Sequence, residues 1–131
     1  MLRRATVLAL AVLAVSCAGT DDKVDAITVD GERVAVAPLV DAHGALCEAA
    51  NRPAGARALF FDRAHDSLHT VARAVEEMDR AQAAELLEAK EKVEGEIAAA
   101  PSGLPEDLLR LAEIYRVSLG RLAIEASPCD K

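Results

Sequence analysis

Tryptophan is absent from this chain, tyrosine occurs once and phenylalanine twice. A core with so few rings has to be filled by Ala, Leu and Val, which suits closely packed helices better than a sandwich of sheets. Three cysteines in 131 residues are too few for a scaffold held by several disulfides. Positive charge is also scarce: 15 Lys and Arg face 22 Asp and Glu, for a net charge of -7. That sign argues against a nucleic-acid partner and against electrostatic adhesion to anionic lipid. It leaves room for cationic partners, metal ions included. No apolar run approaches the roughly 20 residues of a membrane-spanning helix. GxSxG, a Gly-rich phosphate loop and HExxH are missing as well, so the expectation is a protein that is not an enzyme. This length accommodates one small domain and an N-terminal segment.

What the chain does have is one strongly organised stretch, FFDRAHDSLHTVARAV, from Phe60 to Val75. Phe61, Ala64, Leu68, Val71, Val75 and Met78 recur at three- and four-residue steps, the stripe of an amphipathic helix. Beside it runs a polar seam of Asp62, His65, Asp66, His69, Arg73 and Glu76. The stripe governs folding, and the seam is the candidate for chemistry.

The N-terminus reads as a targeting segment. Arg3 and Arg4 form a positive n-region, Ala5–Val15 is an apolar run, and Leu13-Ala14-Val15-Ser16-Cys17 closes it. This segment resembles the lipobox of bacterial lipoproteins: small Val15 and Ser16 precede Cys17, with Ala14 standing where leucine is usual. The likeness covers the residues up to Cys17 and no more. It implies that residues 1–16 are a signal peptide and that Cys17 becomes the diacylglycerol-bearing N-terminus. It also implies a partnership with the lipid bilayer, on the outward side of the cell membrane. Ala18, where a retention aspartate would stand, implies the outer membrane in an organism that has one. An ordinary secretory signal cut near Ala18 is the alternative. Loss of residues 1–16, with Arg3 and Arg4 and no acid, takes the net charge from -7 to -9.

Residues 17–37 form a tether. Within it Ile27 and Val29, then Val34 and Val36, alternate with polar residues around Asp30-Gly31, so a short hairpin and an extended strap both fit. Residues 38–131 make the helical domain. A first helix spans about Pro38–Ala50, and Asn51–Gly55 breaks it. A second helix covers Ala56–Met78. Asp79 and Gln82 have the spacing of a capping box, which starts a third helix over Arg80–Ala99. A single kinked helix through the joint is the alternative. After Pro101-Ser102-Gly103, a fourth helix carries Leu108, Leu111, Tyr115, Leu119, Leu122 and Ala126 inward until Ser127-Pro128. The fold class expected is all-α: a small four-helix up-down bundle, with the hairpin as an optional N-terminal addition. Glu88, Lys90, Glu91, Lys92, Glu94 and Glu96 read as the solvated face of the third helix.

With Cys17 lipidated, Cys47 and Cys129 remain to form a disulfide, with two free buried thiols or a cysteine metal pair as the alternatives. In an up-down bundle the chain end lies near the start of the first helix and Cys47 near its end. The bridge therefore requires a displaced helix or a tail that folds back. On the seam, Asp62, His65, Asp66 and His69 share one side of an ideal helix. His65 and His69 can converge on copper, zinc or nickel, with Asp62, Asp66 or His43 as further ligands. Against this, His65 falls within the apolar stripe and His69 on its border, where a histidine most often makes one hydrogen bond. Asp62 and Asp66 have Arg63 and Arg73 as nearby partners. The leading functional expectation is an extracytoplasmic, lipid-anchored, non-enzymatic binding or accessory module with an envelope protein as partner and no cofactor. Metal capture through the His65/His69 seam is the alternative.

Overall fold

The computed structural model describes residues 23–99 and 102–130. The lipobox and Cys17 lie outside them. The described chain is mostly helical, with four helices and a small two-stranded antiparallel sheet. None of its helices is long and apolar enough to cross a membrane.

Of the two tether readings, the hairpin is the one formed. Strands β1 (Ala26–Val29) and β2 (Glu32–Ala35) pair with Val29 opposite Glu32. Asp30 and Gly31 between them have φ of 50° and 81°, the type I′ turn whose twist suits a two-residue hairpin. A lone hairpin is marginal in water, and this one leans on the helices through Ile27 and Val34, which pack against the core. An Asp30–Arg73 contact of 3.6 Å lies near by.

Helix α1 (Val36–Asn51) begins two residues before the expected Pro38, and a 3-10 turn at Pro53–Gly55 follows. Helix α2 is composite: one α-turn at Ala56–Ala58, a π-helical stretch at Leu59–Ala64, then regular helix over His65–Glu76. Met78, expected inside, lies past its end and is 59% exposed. Helix α3 (Arg80–Ala99) is separate. Its start carries half of the expected capping box: Gln82 N–H donates to Asp79 Oδ1 at 2.9 Å. The Gln82 side chain does not reach back. It donates to Ser118 Oγ at 3.0 Å, because buried Ser118 stands across the helix interface.

Helix α4 (Leu104–Arg121) stops five residues short of Ala126. Ala123 takes a φ of 59°, Ala123 N–H bonds to Gly120 O, and Ile124 N–H bonds to Leu119 O. These are the two bonds of a Schellman termination, and buried Ile124 and Leu119 supply its apolar contact. The helix ends early because the turn drops Ile124 into the core. Residues 124–130 then return to α1, where Cys129 is bonded to Cys47 with Cα atoms 5.3 Å apart. A folded-back tail, one of the two routes open in the sequence, makes the bridge.

The core holds Phe60, Leu39, Leu46, Leu68, Leu86, Leu108, Leu111, Leu119 and Tyr115, all fully buried. Each such side chain contributes about 1.5–3 kcal/mol. The Tyr115 hydroxyl donates to Leu39 O at 2.7 Å, tying α4 to α1. Burial pushes its pKa well up, so it stays a donor at any physiological pH.

Candidate functional site

The π-helical stretch decides what the seam looks like. A π turn holds about one residue more than an α turn, so side chains before it are rotated relative to those after it. Phe60 is consequently the buried phenylalanine, and Phe61, expected on the inner stripe, is 40% exposed beneath the Arg57 guanidinium. The two rings meet edge to face at 5.0 Å. His65 follows directly. It lies 6.0 Å from the Phe60 ring and 5.7 Å from the Phe61 ring, half-buried at the rim of the core and not within the stripe. His69, one turn on, is exposed, with its ring 4.8 Å from that of His65.

Helix α3 supplies the other half of the cluster. His65 Nε2 is 2.8 Å from Glu94 Oε1, and Lys90 Nζ donates to the same oxygen at 2.9 Å. Lys90, expected in solvent, is only 4% exposed. The reason is its place in the series Ala83, Leu86, Lys90, Val93, Ile97, which is the buried stripe of α3. Periodicity alone therefore marks Lys90 as an inward lysine. Glu94, one turn on, supplies its counter-charge at 2.9 Å. Burial raises the Glu94 pKa, but hydrogen bonds and charge from Lys90 and His65 outweigh this and hold it below the ordinary value. Burial, then the charges of Lys90 and His65, hold His69 below its ordinary value.

Of the remaining seam residues, Asp66 alone makes a polar contact with this cluster. Asp62 and Asp66 are exposed, and Asp66 meets His65 Nδ1 at 3.3 Å. The arginines expected to pair with them go elsewhere. Arg63 donates to Asp41 at 2.8 Å and to Glu48 at 3.3 Å, both on α1, and Arg73 faces Asp30. Glu94, the carboxylate that does face His65, is shared with the Lys90 ammonium.

His43 is buried, as expected for the apolar face of α1, but it turns toward the disulfide and not toward His65. Cys47 Sγ lies 3.9 and 3.8 Å from its Nδ1 and Nε2. Burial, then the charge of Arg116, lowers the His43 pKa against an opposing pull from Glu113. The ring is therefore neutral at pH 7. Among the described residues, the group of three metal-ligating side chains close enough to share an ion is His43, Cys47 and Cys129. Its signal in the sequence was the four-residue step from His43 to Cys47. Only the path of the tail adds Cys129.

A surface groove of about 1140 Å³ opens where the start of α1, the end of α4 and the tail meet. Val24, Val36, Val40 and Ile124 give it an apolar floor, with Asp25, Arg116 and Glu125 at its margins. No protein-family model matches the chain, and no curated protein or solved structure does so either.

Proposed function

We propose that this chain is a lipid-anchored, extracytoplasmic accessory module that binds a protein partner of the cell envelope and catalyses no reaction. The observation that carries the reading is the Cys47–Cys129 disulfide. Such a bond is what an oxidising compartment allows, and it agrees with the lipobox-like Leu13–Cys17. In this reading the four helices stand as an up-down antiparallel bundle. Contact of α1 with α4, of α2 with α3 and of α3 with α4 supports that arrangement. The tether leaves beside the groove of Val36, Val40 and Ile124, which makes that side the docking face. Metal capture at His65 and His69 has no comparable support, since Lys90 already neutralises Glu94.

Two measurements test this. Intact-mass spectrometry should find a diacylglyceryl group on Cys17, and Cys17→Ala should move the chain from the membrane to the soluble fraction. A photo-crosslinking side chain at Val40 should capture a discrete envelope protein, whereas one at exposed Leu109 should not. A wild-type protein recovered from the cytosol with Met1 intact sinks the proposal.

A further inference from the structure

We propose that His43, Cys47 and Cys129 form a binding site for a thiophilic d10 cation of the zinc type once the disulfide is reduced. The site is distinct from the seam, and its Cys129 belongs to the tail whose Glu125, Ala126 and Ser127 line the groove. His43 and Cys47 sit four apart on α1, one above the other on the same side of the helix. All three residues offer a donor atom within 4.8 Å of the others. With Zn–S near 2.3 Å and Zn–N near 2.1 Å, a shared ion sets sulfur and nitrogen about 3.6–3.8 Å apart. The Cys47–His43 separations of 3.8 and 3.9 Å are close to that value but run to both ring nitrogens alike, so the imidazole has to turn to aim one lone pair at the ion. Helix α1 thus brings the two groups together on one side, a ring rotation away from the required geometry.

The second sulfur has to part from the first, because two thiolates on one tetrahedral ion stand about 3.8 Å apart. Cys129 is the one able to move, since it lies in the irregular tail beyond Arg121 while Cys47 is fixed in a helix. Two soft thiolates and an imidazole select zinc or copper(I) over magnesium or calcium. Three protein ligands leave a fourth position for water. His43 is held among buried α1 residues.

The chemistry balances with an external dithiol as reductant. It delivers two electrons and two protons, the Cys47–Cys129 bond becomes two thiols, and the dithiol leaves as its own disulfide. Ion binding then releases the two thiol protons. Disulfide and metal site use the same sulfur electrons, so the two states exclude each other.

The experiment uses the purified full chain, oxidised or anaerobically reduced, titrated with Zn2+ and with Co2+ as its spectroscopic stand-in. The reduced protein should take up one Co2+ with strong thiolate-to-cobalt charge-transfer absorption, and Zn2+ should displace it and shield both cysteines from alkylation. The oxidised protein should show neither effect. His43→Gln should weaken binding at least tenfold while keeping the charge-transfer band. Cys47→Ser with Cys129→Ser should abolish the band. The proposal is overturned by a reduced chain that takes up no ion, or by binding that persists unchanged in the double serine variant. If reduction unfolds the chain, Zn2+ must restore its helical circular dichroism, and failure to do so also overturns it.

Discussion

Ala123 occupies a backbone region that L-residues enter at a cost of roughly 1–2 kcal/mol. Glycine there removes the strain but adds freedom to the unfolded chain, so Ala123→Gly should stabilise by about 0.5–1 kcal/mol in a denaturant melt. The opposite sign would mean that the Schellman turn is not what ends α4. Lys90 and Glu94 make an asymmetric pair. Glu94→Leu leaves a buried ammonium without its counter-charge and should cost about 2–3 kcal/mol, below the upper range for such losses because Glu94 is partly exposed. Lys90→Met keeps the packing and should be nearly neutral. Equal losses in the two variants would refute this account. His43 and His69 both have lowered pKa values, so the unfolded chain takes up protons first as pH falls. Stability should be greatest above about pH 6.5 and decline below it toward the folded-state values. His43→Gln should flatten that decline, as read from Tm against pH. Lys90, expected on the solvated face, is buried, and its place on the α3 stripe was the signal that could have shown it. The partner choices of Arg63 and Arg73 were not legible, because they depend on which helix stands opposite.

At the scale of the element, turns were the most readable features. Asp30-Gly31 marks the hairpin, and Asp79 marks the start of α3. Asp79→Ala should lower stability by about 1 kcal/mol through loss of the bond from Gln82 N–H. Retained stability in that variant would mean that water replaces the cap without loss. The π-helical stretch was not readable. The spacing of Phe61, Ala64 and Leu68 is as good a helical period as that of Phe60, Ala64 and Leu68. Only the volume available against α1 and α3 decides which phenylalanine goes in. One inserted residue moved Phe61 out and set His65 on the rim, and so the expected seam became two exposed aspartates and a histidine that faces Glu94. The early end of α4 was hidden for a related reason. Leu122 and Ala126 continue the stripe as well as Ile124 interrupts it, and the choice is made by the core.

For the whole molecule, the disulfide dominates. Residues 47 and 129 are 82 apart in sequence, and closing a loop of that size is worth roughly 4 kcal/mol in the chain-entropy account. Reduction should lower the unfolding free energy by an amount of that order. Amides of residues 124–130 should lose protection from hydrogen exchange first, while those around Leu39 and Tyr115 keep it longest. Simultaneous loss everywhere would show that tail and core form one cooperative unit. The cross-link also makes most of the chain a closed ring, from Cys47 through α2, α3 and α4 back to Cys129. A protease that cuts once at the exposed Glu77–Met78 turn opens the ring without releasing a fragment. Both pieces stay covalently joined, and the nick appears only on a reducing gel. A cut in the hairpin behaves differently: residues 1–46 lie outside the ring, so cleavage between Asp30 and Gly31 sheds residues 1–30 while residues 31–46 depart with the intact ring.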